Sequence, residues 1–228
     1  MTTTRDGPLT VVIVAHHRGS LSSQSRDLPV AVRRLCGVPL VRRHLQVVRA
    51  YEWREAVIVA APRDREAVVE AVGKPAALGL SISYVEAEEG AFPAHTLLVR
   101  DTPWYLVLEG HYVIEGALLE ALRTAEANAL LCDSQPDERV PLTVEVQDGR
   151  VTAWGEQVAH ATHAYVGAVL LSRTALEELA AGGEASWPSS LSRLPAVEAV
   201  DVRSSQLYVP EVRRRESGKY HTYLTNIP

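Results

Sequence analysis

The sequence predicts an α/β domain built on a mostly parallel sheet covered on both faces. Three observations carry this. Short apolar runs alternate with amphipathic stretches of helical spacing over the first two-thirds of the chain. The runs Leu9–Ala15, Glu55–Ala61 and Trp104–Leu108 are apolar apart from Thr10 and Glu55, as strands buried on both faces are. Asp148-Gly149, between Leu142–Gln147 and Arg150–Trp154, signals a two-residue hairpin, which makes the sheet mixed in its last third.

Leu9–Ala15 reads as the first strand, and it empties into a polar loop from His16 to Arg34. Pro39 suits the first position of the helix that follows, with Leu40, Val41, His44, Leu45 and Val48 on one face. Glu55–Ala61 is a second buried strand, and 63–72 a short helix with Ala67, Val68 and Ala71 inward. Leu80–Glu86 alternates like a strand, and a helix is expected over about 94–100. Trp104–Leu108 runs into Glu109-Gly110-His111-Tyr112, followed by a helix over 115–127. Ala129–Asp133 and Ala164–Ser172 are further strands, and a helix over 173–181 is closed by Gly182-Gly183. Regularity fades after residue 202, so 1–202 reads as one domain and 203–228 as a C-terminal tail or linker.

Composition excludes several classes. A net charge of −5 argues against a general nucleic-acid or membrane surface, and the scattered tryptophans offer no stacking platform for single strands. Cys36 and Cys132 form no Cys-x-x-Cys pair, which favours buried thiols in a reducing compartment. The polar N-terminus and the lack of any apolar run near the ~20 residues of a membrane span lead to the expectation of a cytoplasmic protein. Arg18-Gly19-Ser20-Leu21 is not a Gly-x-Ser-x-Gly elbow, so serine chemistry finds no support.

A buried strand, a loop over the sheet edge and then a helix is where α/β folds hold phosphates. Here that loop holds one glycine, Gly19, and no lysine. Its words are Ala15-His16-His17-Arg18-Gly19-Ser20-Leu21, then Asp27-Leu28-Pro29-Val30-Ala31-Val32, then Gly37-Val38-Pro39-Leu40. Farther on stand Gly110-His111-Tyr112 and Tyr165-Val166-Gly167-Ala168-Val169-Leu170. In order and spacing these words resemble the nucleotidyltransferases that couple an NTP to a sugar or polyol phosphate, nearest to the inositol-phosphate cytidylyltransferase-like domains. The resemblance runs from about Leu9 to Leu179 and implies a three-layer αβα Rossmann-like nucleotidyltransferase fold with a mixed, mostly parallel sheet.

By that resemblance Ala15, His16, His17, Gly19, Ser20 and Gly110 would line the nucleotide, and Mg²⁺ would serve an active enzyme. The chemical residues are exchanged: a loop glycine falls at His17, the family's Arg and Lys at Leu21 and Val30, and its metal aspartates at His111 and Tyr165. Nucleotidyl transfer crowds negative charge on the α-phosphorus and needs donors, cations and a metal. Removing one such contact typically costs ~10²–10³ in rate. The expectation is therefore a degenerate, non-catalytic relative that binds a nucleotide, a phosphoalcohol or a protein partner in phosphoalcohol or phospholipid metabolism. The alternative is an atypical active transferase in which Arg18 and Glu109 replace the lost groups.

His16, His17, His111 and His163 would meet at one sheet edge, where neutral imidazoles suit a transition metal with His111 as a ligand; unrelated polar residues filling a vacated pocket would look the same. Residues 216–228 loosely resemble the junction that joins such cytidylyltransferases to a membrane CDP-alcohol phosphotransferase, which would make such an enzyme a partner.

Overall fold

The computed structural model of the chain describes residues 8–18, 28–114, 116–125, 127–134, 142–155, 158–183, 187–194, 196–202 and 208–209. In chain order these form β1 (Leu9–Val14), β2 (Arg34–Leu35), β3 (Val38–Pro39), α1 (Leu40–Ala50), β4 (Glu55–Ala60), α2 (Arg65–Val72), β5 (Ser81–Glu86), α3 (Ala94–Leu97) and β6 (Trp104–Glu109). There follow β7 (Val113–Ile114), α4 (Gly116–Thr124), β8 (Ala129–Asp133), β9 (Thr143–Gln147), β10 (Arg150–Gly155), β11 (His163–Ser172), α5 (Arg173–Ala181), β12 (Glu198–Asp201) and β13 (Tyr208–Val209).

The main sheet runs β5-β4-β1-β6-β11-β8-β12-β10-β9. β5, β4, β1 and β6 are parallel, so their C-terminal ends share one edge. β11 pairs antiparallel with β6, Ala168 opposite Leu108, and brings its own N-terminal half to that edge. Apolar side chains alternate to two cores. Val11, Ile13, Leu106 and Leu108 pack with α1, α2 and α4, while Val12, Val14, Tyr105 and Val107 pack with α3 and α5. The three-layer αβα architecture expected from the sequence is thus observed.

Local details differ from the sequence reading. Pro39 caps α1 from outside, with φ −57° and ψ 142°, because Cys36 (φ 50°) and Gly37 (φ 80°) turn a small hairpin that pairs Arg34 with Pro39. The helix expected over 94–100 stops at Leu97, and Arg173 donates to the carbonyls of Leu98 and Arg100 that would otherwise continue it. The Asp148-Gly149 turn forms as expected, both residues having positive φ. Tyr208-Val209, placed by the sequence in the tail, pairs with Ile114-Val113 beside the sheet edge. The basic run at 213–215 and the segment 216–228 lie outside the described residues.

Among the described residues no helix is long and apolar enough to cross a membrane.

Candidate functional site

The shared edge where β1, β4, β5 and β6 end and β11 begins gathers the chemistry-bearing side chains. On the β1–β4–β5 side, Arg18 forms an ion pair with Asp64, which is buried at the end of the turn after β4. The Arg18 backbone N–H donates to Glu89 Oε1 at 3.2 Å, and Arg63 donates to Glu89 Oε2 at 3.1 Å. The guanidinium expected to replace a lost phosphate contact is thus engaged by carboxylates of this chain. Asp64 and Glu89 were not singled out from the sequence. Their signal was their position just past two buried strands, where α/β sheets keep functional groups.

On the β6–β11 side the groups are aromatic. The period of two that buries Tyr105 and Val107 also turns Glu109 into the α3–α5 core, where it is 5 % exposed. Burial pushes its carboxyl up to about 7, partly offset by the nearby Tyr165 phenol and Trp187 indole. Both face the Glu109 carboxylate at the margin of hydrogen-bond geometry. His111 Nδ1 stands 3.3 Å from Glu109 Oε2 and is held neutral, its pKa well below the ordinary value through burial and then through His17, His44 and His16. Burial likewise lowers His16 and His44 to about 4. His44 donates through Nε2 to the Tyr112 carbonyl at 2.9 Å, so it is a satisfied core histidine, as its helical position suggested.

Glycine makes two close approaches possible. Gly110 donates to the Val14 carbonyl at 2.8 Å, and a Cβ there would lie 2.9 Å from both that oxygen and the Ala31 methyl. Gly167 has φ +82°, and a Cβ there would lie 2.2 Å from the Tyr112 ring. It therefore lets Tyr112 lie against β11 at the point where the β11–β8 register shifts.

The exchanged positions that can be located do meet. His17 stacks on His111 with centroids 4.0 Å apart. Val30 donates its N–H to the His17 carbonyl at 2.8 Å. Tyr165 stands against Glu109 and lies 6.3 Å from Tyr112, whose ring is 4.4 Å from that of His111. Gly19, Ser20 and Leu21 lie outside the described residues. Ala15 and His16 are buried at the end of β1. His163 pairs with Val144 of β9 and bonds Thr162, so it stands away from the other three histidines.

Among the described residues this geometry gives the expected histidine metal site no ligand cluster. Rings stacked face to face, at 28° between planes, direct their in-plane lone pairs along parallel layers rather than at one ion. No group of three or more His, Cys, Asp or Glu among the described residues is arranged to hold a metal. Mg²⁺ wants several hard oxygen ligands with open octahedral positions. Among the described residues Glu109 is packed among rings, Asp64 is held by Arg18, and Asp133 ends β8 opposite Ala164. Among the described residues no such oxygen cluster is arranged for Mg²⁺.

No family model matches the sequence, and no curated protein matches it. Solved structures do. A Bacillus anthracis protein assigned as a glucose-1-phosphate thymidylyltransferase, in complex with a sucrose, superposes with a TM-score of 0.75 at 13 % identity, covering 96 % of each chain. The inositol-1-phosphate CTP transferase of T. maritima gives 0.75 at 14 %, covering 96 % of this chain and 97 % of its own. A UDP-glucose pyrophosphorylase bound to UDP-glucose gives 0.65 at 12 %, covering 94 % and 98 %. The fold is that of the nucleotide-diphospho-sugar transferases. Its solved neighbours are sugar- and polyol-phosphate nucleotidyltransferases, as the sequence words implied. At this identity the likeness establishes architecture; function is argued from the site.

Proposed function

We propose that this chain is a non-catalytic relative of the sugar- and polyol-phosphate nucleotidyltransferases, a binding domain for a nucleotide, a phosphoalcohol or a protein partner in phosphoalcohol or phospholipid metabolism. One observation supports this above all: the positions that the family words give to a loop glycine, a lysine and two metal aspartates carry uncharged side chains, His111, Tyr165 and Val30 being buried. His17 on His111, with Tyr165 and Val30 beside them, replaces the loop glycine, the metal aspartates and the lysine of the family words. Transfer of a nucleotidyl group needs fixed positive charge around the α-phosphate, and each missing contact lowers the rate by roughly 10²–10³. Arg18, the cation expected to replace a lost group, is already matched by Asp64.

The test is pyrophosphate release from CTP and the other NTPs, with Mg²⁺ or Mn²⁺, across a panel of sugar and polyol phosphates. Flat traces are expected for every combination. Turnover that disappears in both Arg18→Ala and Glu109→Gln would establish the atypical transferase instead, with those two groups as replacements.

A further inference from the structure

We propose that the cleft at the opposite end of the sheet, where β1, β4 and β6 begin, binds a zwitterionic small molecule, namely an α-amino acid with a large apolar side chain. It lies a strand's length from the edge described above, so it adds a second site and does not rest on the binding-domain reading.

The cleft follows from how the chain reaches β6. α3 spans only the 4 residues Ala94–Leu97, whereas β1 and β4 are 6 residues each. Four residues of helix cover roughly 6 Å, against roughly 20 Å for such a strand. After α3 the chain drops through Arg100 to Thr102 and starts β6 at Trp104. What it leaves below the helix is a cavity of about 420 Å³, lined by the starts of β1 and β4 and by residues 52–54 and 100–102. Pockets that take small ligands are of this size.

The first argument is a fixed cation with no anion beside it. Arg100 is held at the wall through Nη2, which donates to Ser83 Oγ at 2.6 Å, and through its carbonyl, which accepts from Tyr105 OH and Arg173 Nη1. Its Nε is enclosed and meets no acceptor. Among the described residues no carboxylate lies within ion-pair distance of Arg100, or of Arg54, which also lines the cleft. A partly enclosed guanidinium calls for an anion, and its planar fork suits a carboxylate.

The second argument is the opposite charge at the rim. Glu52, Glu55 and Asp101 line the same cleft, are exposed, and take part in no ion pair among the described residues. A polyanion entering the cleft would meet these carboxylates, and a simple cation would meet the two arginines. A molecule with one charge of each sign is attracted by both sets.

The third argument is the wall. Trp53 lines the cleft and is pinned by its stack on Tyr51, with centroids 5.1 Å apart, while Tyr51 OH donates to the Gly116 carbonyl. The fixed indole, with Pro8 and Leu9, gives an apolar surface on which a side chain can pack. An α-amino acid carries carboxylate, ammonium and side chain on one carbon.

Calorimetric titration of the full chain with phenylalanine, tryptophan, leucine and methionine tests the idea. Each is paired with its decarboxylated amine and its N-acetyl derivative, which lack one charge apiece. Saturable binding of at least one amino acid is expected, with both of its analogues weaker by roughly tenfold or more. Arg100→Gln should lose a similar factor, and Glu55→Gln roughly threefold, with a cooperative thermal transition kept in both. Absence of saturable binding by all four, an analogue that binds as well as its parent, or an unchanged affinity in Arg100→Gln would overturn the proposal. If that variant does not fold, the analogue series on the unaltered chain decides alone. Either result leaves the loss of catalysis standing, because that is read separately by pyrophosphate release.

Discussion

The two halves of the candidate site solve the same problem in opposite ways. Both must hold polar groups where buried strands end. The β1–β4–β5 half pairs carboxylates with arginines: Asp64 with Arg18, Glu89 with Arg63, Glu86 with Arg65. The β6–β11 half keeps its groups uncharged by burying them, with His111 and the adjoining His44 held neutral and Glu109 pushed up to about 7. The ion-paired half is partly wet, so salt and water screen it. The aromatic half depends on packing, and its electrostatics are those of a low-dielectric interior. A site that handles triphosphates needs the first strategy throughout. This chain keeps it only on the side away from the β6–β11 junction.

The largest effect should come from disturbing the packed half. Gly167→Ala would place a methyl 2.2 Å from the Tyr112 ring at a backbone φ of +82°. Overpacking and a left-handed backbone add, for an expected loss of about 3–5 kcal/mol, read as a lower midpoint in urea unfolding. A loss under about 1 kcal/mol would mean that Tyr112 moves freely and that this half is not tightly packed.

Next in size is the ion-paired half. Asp64→Asn keeps the shape of the side chain but removes the charge facing Arg18, whose side chain is 19 % exposed. With one partner near solvent, the expected loss is about 1–3 kcal/mol, below the cost of breaking a fully buried pair. Part of it should vanish at high salt. The same salt series on Gly167→Ala should leave its deficit unchanged. If both variants respond alike to salt, the two halves are not electrostatically distinct.

Much of this was legible in the sequence, and the reasons differ by element. β1, β4, β6 and β11 were evident because strands buried on both faces are nearly continuous apolar runs. The Asp148-Gly149 turn was evident because few residues accept two successive positive φ values. α5 matched to the residue, its Ser172 cap and Gly182-Gly183 end being local signals. β12 and the turn of helix at Ser189–Arg193 were missed: Glu198–Asp201 is short and half-buried, a strand only because β8 is beside it. In the site, the meeting of His17, Val30, His111 and Tyr165 followed from the order of family words. The roles of Asp64, Glu89 and Trp187 did not, because each depends on a partner far away in the chain. Trp187 reads as a lone tryptophan before a proline until Phe92 and Glu109 are seen beside it.

The smallest expected effect tests the buried neutral groups at both ends of the site by pH. In the unfolded chain His16 and His44 would titrate near 6.5, whereas folded they take a proton only near 4. Their contribution to stability is present above 6.5 and is lost as pH falls through 4, at up to about 1.4 kcal/mol per pH unit for each. Glu109 works in the opposite direction. Its carboxyl is near 4.5 unfolded and about 7 folded, so its contribution is present below 4.5 and lost as pH rises through 7. Between 4.5 and 6.5 one carboxyl therefore offsets part of the loss from the histidines, and the acid limb should be shallower than the histidines alone dictate. Glu109→Gln removes the offset. Measured by urea unfolding at a series of pH values, the variant should gain about 1 kcal/mol at pH 8, where the buried carboxylate no longer has to ionise, and should lose stability more steeply towards pH 5. Parallel curves for the two proteins would mean that Glu109 is ionised and well solvated in the folded chain, and the contrast between a charged half and a neutral half would fail at its central residue.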